Sequence, residues 1–238
     1  MQTAVNLIFP ASCSCCGEAV EEDAGLCGAC WVDTWFLSGH ICDACGAPLP
    51  GDSDGAQDHC DDCMSIGRPW DQGRAALLYK GNGRRLALSL KHADRPDLAR
   101  PAANWMRSAG ADILLSGAVL VPVPLHWTRL FKRRYNQSVE LARALGQITG
   151  LHVAPQSLIR TRRTESQVGK GYDGRFANIA GAIEPHPSKS KPLEGRSVVL
   201  IDDVMTSGAT LACAAEAATK AGAAHVHTLV LARATKDT

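Results

Sequence analysis

The stretch VVLIDDVMTSGATL (198–211) decides how this chain is read. Four apolar residues in a row, Val198 to Ile201, suit a strand buried on both faces, as parallel strands are. Two adjacent carboxylates, Asp202 and Asp203, follow where that strand, read as 197–201, should end. Small and hydroxyl-bearing residues come next, and then an alanine-rich helical pattern over 208–221 that Gly222 stops. A helix starting there offers unpaired backbone N–H groups and the positive end of its dipole, both suited to an anion. The carboxylates repel an anion unless hydroxyl groups or a hydrated cation lie between. A phosphate carried beside a diol meets both demands. Thr206, Ser207, Gly208, Ala209 and Thr210 are therefore read as a cradle for the 5-phosphate of a ribose. Asp202 and Asp203 are read as acceptors for its hydroxyls or as holders of Mg2+. Competing phosphate loops fit less well: the chain has no GxxxxGK[ST], and no GxGxxG that follows a strand pattern.

The flanking sequence alternates in the same way. RAALLY (74–79) reads as a strand closed by the turn 80–83, with helical spacing after it at Leu86 and Leu90. A helix from about Asp97 puts Leu98, Ala102, Trp105 and Ala109 on one face. AVLVPVP (118–124) is another continuous apolar strand, and Leu141, Leu145 and Ile148 mark a helix that Gly150 stops. HVAPQSLIR (152–160) and NIAGAIE (178–184) give shorter strand signals, residues 185–196 a polar loop, and HVHTLVLAR (225–233) a final strand. This order predicts an α/β fold: a parallel sheet flanked by helices with right-handed crossovers, its ligand at the carboxyl ends of the strands.

The N-terminal quarter has a different composition. Nine of the ten cysteines lie before residue 64, and eight form four CxxC pairs. These are Cys13/Cys16, Cys27/Cys30, Cys42/Cys45 and Cys60/Cys63. Two such pairs complete a tetrahedron of thiolates, so four pairs predict two closed, structural Zn2+ sites. Sequential pairing gives Cys13/Cys16/Cys27/Cys30 and Cys42/Cys45/Cys60/Cys63; spacing alone leaves an interleaved pairing open. The start of the chain shows no export signal, which favours metal over disulfides and an expectation of a cytoplasmic protein. No apolar run approaches the roughly 20 residues that span a bilayer. Residues 1–66 hold eleven Asp and Glu and no Lys or Arg, while the remainder holds all 25 Lys and Arg against 13 acids. The predicted units are an acidic, metal-stabilised ribbon (1–66) and a basic α/β domain (67–238). The acidic ribbon repels nucleic-acid phosphate; docking on the basic part or on another basic partner suits it better.

VVLIDDVMTSGATL resembles the phosphoribosyl pyrophosphate (PRPP) signature of type I phosphoribosyltransferases. The CxxC pairs, LVPVPLHWTRLFKRRYNQS (120–138), RTRRTESQ (160–167) and GRFANIAGAI (174–183) together resemble the competence protein F (ComF) family, double zinc ribbons joined to such a domain. One departure is Arg134, which stands where the family usually has glycine before the aromatic-Asn-Gln run. The resemblance implies that Asp202 and Asp203 hold the ribose hydroxyls as the catalytic carboxylates and that residues 206–210 hold the 5-phosphate. It also implies a pyrophosphate loop around Pro122, Val123 and Pro124 and a lid over 160–175. Arg133, Arg134, Asn136, Gln137, Arg160, Arg162 and Gln167 are the further pyrophosphate and lid candidates.

The function implied is a PRPP-binding, Mg2+-dependent phosphoribosyltransferase in DNA uptake, its acceptor not encoded in any motif. Two alternatives share the same surface: a competence protein that binds single-stranded DNA through the basic domain without catalysis, and a regulator that senses PRPP.

Overall fold

The computed structural model of the chain describes residues 11–20, 25–53, 55, 57–92, 95–127, 135–162 and 181–235. The first part contains two copies of one small unit. In each, a CxxC turn ends on a left-handed glycine, Gly17 (φ 80°) or Gly46 (φ 68°). In each, an antiparallel bridge, Ser12 to Ala19 or Ile41 to Pro48, closes the turn. The second CxxC of each unit opens a one-turn helix, α1 (Gly28–Val32) after Cys27 and α2 (Asp61–Ser65) after Cys60.

The chain then enters β1 (Gln72–Leu78), α3 (Gly81–His92) and, after a 3-10 turn, α4 (Ala99–Ala109). β2 (Val119–Pro122), α5 (Gln137–Thr149) and β3 (His152–Val153) follow. β4 (Leu158–Arg160) and β5 (Ile183–Pro185) precede β6 (Ser197–Met205), α6 (Ala209–Lys220) and β7 (His225–Arg233). Five strands form one sheet in the order β1-β7-β6-β2-β3, and each neighbouring pair is parallel. The predicted parallel α/β architecture is thus present. The two short strand signals between 152 and 184 divide differently: His152–Val153 joins the sheet edge, while β4 and β5 pair antiparallel as a separate sheet.

β6 runs on to Met205, past the end expected at residue 201. Its neighbour β7 continues alongside, and Asp202, Val204 and Met205 pair with Val230, Ala232 and Arg233. A polar residue does not end a strand while a ladder partner remains. Alternation along β6 sends Val198 and Leu200 to one face, with Leu211, Ala214 and Ala218 of α6. Val199 and Ile201 go to the other face, with Leu90 of α3, Met106 of α4 and Leu141 and Leu145 of α5.

The connections locate a crevice. From β2 the chain crosses through α5 to β3 on one side, and from β6 through α6 to β7 on the other. These helices cover opposite faces of the sheet. β2 and β6 are adjacent, so the strand order reverses between them, and in parallel α/β sheets the ligand crevice lies outside the carboxyl ends at such a point.

The ribbon closes an exposed edge of the sheet. Leu37 N–H donates to Ala76 O at 2.9 Å and Leu78 N–H to Trp35 O at 2.8 Å, with Phe36 bridging Leu77. Strand β1 would otherwise present a free row of backbone groups. Arg74, only 7% exposed, adds a charged joint. Its Nη2 reaches Asp43 Oδ1 at 2.7 Å and Asp112 Oδ2 at 2.6 Å. The acidic ribbon therefore lies on the α/β part, held by main-chain pairing and by ion pairs to the buried Arg74. Among the described residues no helix is long and apolar enough to cross a membrane.

Candidate functional site

Two tetracysteine clusters form, Cys13/Cys16/Cys27/Cys30 and Cys42/Cys45/Cys60/Cys63, with all ligand atoms of each within 4.8 Å of one another. This is the sequential pairing; the interleaved one is not formed. Cys16 and Cys27 sulfurs stand 3.7 Å apart, as do those of Cys45 and Cys60. A tetrahedron with Zn–S near 2.3 Å has an edge of about 3.8 Å, so both clusters fit Zn2+. Four thiolates leave no open position, which makes the sites structural. Cys15, beside the first knuckle, points instead at Asn82 Oδ1, 3.1 Å away.

The acidic pair lies at the carboxyl end of β6, beside that of β2, where Pro122 pairs with Ile201. Asp202 Oδ1 accepts from Ser138 Oγ at 2.8 Å and from Asp203 N–H at 2.9 Å. Asp203 Oδ1 accepts from Val204 N–H at 2.7 Å, and its Oδ2 lies 3.9 Å from Lys91 Nζ. Burial first, and then the adjacent Asp203 charge, raise the Asp202 carboxyl to about 7; Ser138, the Asp203 N–H and Lys91 act in the opposite direction. Two acids held this closely favour a cation or a donor-rich ligand between them.

Residues 206–208 connect this pair to α6. Gly208 is the N-cap and adopts φ 81°, a left-handed conformation that glycine takes without strain. An added Cβ there would lie 2.8 Å from Met205 Cε, 2.9 Å from Arg68 Nη1 and 3.3 Å from Trp70. This turn therefore has room for a glycine and no larger residue without displacing a neighbour. Arg68 Nη1 donates to Ser207 O at 2.7 Å. Arg233, 2% exposed, donates through Nη1 to Thr206 O at 2.8 Å and Met205 O at 3.3 Å. Both arginines stand between this loop and the second cysteine cluster: Arg68 Nε donates to Cys63 Sγ at 3.3 Å, and the charge of Arg233 acts on Cys45.

The pyrophosphate and lid candidates separate. Pro122, Val123 and Pro124 lie beside the acidic pair, but they offer an anion no free backbone donor. Two are prolines, and Val123 N–H is bonded to Ile201 O at 2.9 Å. Asn136 caps α5, accepting from Ser138 N–H at 3.0 Å, and donates through Nδ2 to Val123 O at 3.0 Å. Gln137, 2% exposed, donates to Lys91 O at 3.4 Å. These two residues tie the start of α5 to β2 and α3, which places Ser138 on Asp202. Arg160 ends β4, on the antiparallel pair that packs against α6, and Arg162 follows it. Arg133, Arg134 and Gln167 lie outside the described residues.

Ser138, Lys91, Arg68 and Arg233 were not singled out from sequence. Ser138 sits inside the segment 120–138 that carries the resemblance, so its position was within reach. Lys91 has no motif around it, and the arginines act through carbonyls, which leave no trace in side-chain patterns.

Residues 4–64 match the double zinc ribbon domain, and residues 119–238 match the phosphoribosyl transferase domain. Similar proteins include DNA utilization protein YhgH of Salmonella typhi, 27% identical over 229 residues covering 93% of this chain and 89% of that protein. Competence protein F of Haemophilus influenzae is 27% identical over 225 residues, covering 92% and 95%. Competence protein ComFC of Bacillus subtilis is 25% identical over 222 residues, covering 90% and 86%. With two tetracysteine units in tandem, a parallel sheet and a phosphoribosyl transferase match over half of its length, the chain belongs to the competence protein F family of double-zinc-ribbon phosphoribosyltransferase proteins.

Proposed function

We propose that this protein binds phosphoribosyl pyrophosphate with Mg2+ at the carboxyl ends of β2 and β6 and transfers the phosphoribosyl group to an acceptor, within DNA uptake. One observation carries the reading: Asp202 and Asp203 lie near the carboxyl end of β6, one short loop before a glycine-led helix start, at the point where the strand order reverses. The names of the relatives, competence protein F and ComFC, support the cellular setting.

Each group has a role set by its chemistry. The N–H groups of residues 206–210 meet the 5-phosphate at the positive end of α6. The carboxylates of Asp202 and Asp203 accept from the 2- and 3-hydroxyls and fix the ring. Ser138 holds one carboxylate in place and Lys91 lies beside the other, so neither is free to swing from the sugar. The pair is also a hard, anionic donor set suited to Mg2+, which when bound neutralises charge on the departing pyrophosphate. In transfer, the bond from the anomeric carbon to the pyrophosphate oxygen breaks with its electron pair leaving on pyrophosphate. The acceptor forms the new bond and gives up its proton. Arg160 and Arg162 are assigned to the leaving-group side, the ribbon (1–66) to structural support and the remainder (67–238) to binding.

Titration calorimetry with PRPP tests this, with and without Mg2+ and with a short single strand as competitor. Binding that needs Mg2+ and weakens at least about tenfold in Asp202→Asn and Asp203→Asn is expected, as one lost charged contact predicts. Wild-type affinity in both variants would overturn the assignment. Displacement of PRPP by the single strand, with no turnover on any acceptor tried, would favour the DNA-binding reading instead.

A further inference from the structure

The three peptide planes that precede α6 share one arrangement. The carbonyls of Met205 and Thr206 both accept from Arg233 Nη1, that of Met205 also from Ala234 N–H at 2.9 Å, and the carbonyl of Ser207 accepts from Arg68 Nη1. In a trans peptide the N–H points opposite the C=O of the same plane. Holding those three carbonyls toward the arginines therefore turns the N–H groups of Thr206, Ser207 and Gly208 the other way. Successive N–H groups aimed to one side make an anion-binding nest. The arginines form its rear wall, since Gly208 admits no Cβ between itself and Arg68.

Arg68 is anchored on its other side. Its Nε donates to Cys63 Sγ at 3.3 Å while its guanidinium lies over Trp70, 5.4 Å from the ring centroid. Trp70 is itself fixed by its indole N–H on Ala44 O at 2.6 Å, one residue before the ligand Cys45. A tetrathiolate Zn2+ site carries about −2, and donors to its sulfurs stabilise that charge. One planar guanidinium thus spans the sulfur of a metal ligand and a carbonyl of the phosphate loop, which a lysine cannot do with a single point charge.

We propose that Arg68, seconded by Arg233, is a positioning residue that couples zinc in the Cys42/Cys45/Cys60/Cys63 cluster to the phosphate nest: the metal holds the arginine, and the arginine holds the loop. This rests on the sugar-phosphate reading above. Coupling is reciprocal in affinity, so ribose phosphate in the nest must tighten the hold on that zinc by the same factor as the zinc tightens the ligand, and a tighter hold is read as slower release. The cluster Cys13/Cys16/Cys27/Cys30 makes neither contact and serves as an internal control.

The experiment follows zinc release from the full chain into a chromophoric chelator, with and without saturating ribose 5-phosphate, alongside calorimetry with the same ligand. In the wild type one of the two zinc ions should leave more slowly when ribose 5-phosphate is present. In Arg68→Gln, one zinc should leave about tenfold faster than in the wild type, by analogy with other outer partners of metal ligands. Its release should no longer respond to ligand, and ligand affinity should fall about tenfold or more. Arg68→Lys keeps the charge and should restore neither property. The wild-type comparison needs no variant and stands even if Arg68→Gln folds poorly. No heat with the wild type would overturn the proposed function and the coupling together. Heat with the wild type, but zinc release indifferent to ligand or affinity unchanged in Arg68→Gln, would overturn the coupling alone.

Discussion

Replacing Gly208 by alanine separates two costs that the fold imposes at one position. The first is conformational: at φ 81° an L side chain is strained by roughly 1–2 kcal/mol. The second is steric. Met205 Cε, at 2.8 Å from the added Cβ, is the tip of a flexible chain and can move at little cost. Arg68 Nη1, at 2.9 Å, can also move, but only by lengthening its 2.7 Å bond to Ser207 O. Losing a hydrogen bond from a charged donor costs about 1.5–3 kcal/mol. The sum is about 2.5–5 kcal/mol, which in a chain of this size lowers Tm by roughly 5–20 °C. Gly150 is the matched control. Its φ is 73° and an added Cβ meets nothing within 4 Å, so Gly150→Ala carries only the conformational cost of about 1–2 kcal/mol. Thermal denaturation of both variants, with zinc held constant, measures the difference. Equal losses in the two, within about 0.5 kcal/mol, would show that the arginine wall does not press on the loop.

Two further outcomes bear on the frame of the molecule. Arg74→Met removes the buried partner of Asp43 and Asp112 and should destabilise by about 2–4 kcal/mol, toward the lower end because Asp112 is 49% exposed. Arg74→Lys should recover part of this, and early proteolysis within residues 37–60 of the Met variant would confirm that the joint holds the ribbon down; unchanged protection in both would count against it. His227 titrates below its ordinary 6.5, from burial first, with His225 and Arg74 acting the same way and Asp71 and Asp112 opposing. The fold therefore favours the neutral ring: its contribution to stability is full above pH 6.5 and is lost as pH falls through the lower folded value. His227→Gln should flatten the fall in urea midpoint on acidification below pH 6.5, and an unchanged slope would refute this.

The parallel sheet was legible because buried parallel strands are continuous apolar runs, and 118–124 and 197–201 are two of them. The strand-to-helix turn proposed as the phosphate cradle was legible because its pattern is local: acids, small residues and a helix start follow one another in sequence. The extent of β6 was not, since Asp202 to Met205 owe their strand conformation to β7 rather than to their own pattern. The partners of the acids were hidden for a related reason. Lys91 belongs to an ordinary amphipathic helix and reaches Asp203 only because α3 packs across the sheet end. The CxxC spacing announced metal but could not order the pairs; the tandem knuckle-and-bridge units do that.

The ribbon's acidity, read from sequence as a surface property, has a second cause in the structure. Each closed tetrathiolate site adds about −2 beside the sheet, and that charge must be met where it is buried. At the second cluster it is met by Arg68 and Arg233, each of which also donates to a carbonyl of the loop before α6. Cys42, Cys45 and Cys63 also share one apolar cluster with Trp70, Met205 and the face of α6. The metal site, Trp70 and the helix that follows the loop are therefore one packed body. A ribbon hung on the domain as a separate module would leave β1 with an open edge and Arg68 without its anchor. The same contacts that let so small a metal unit fold against the sheet also fix the conformation of the loop before α6.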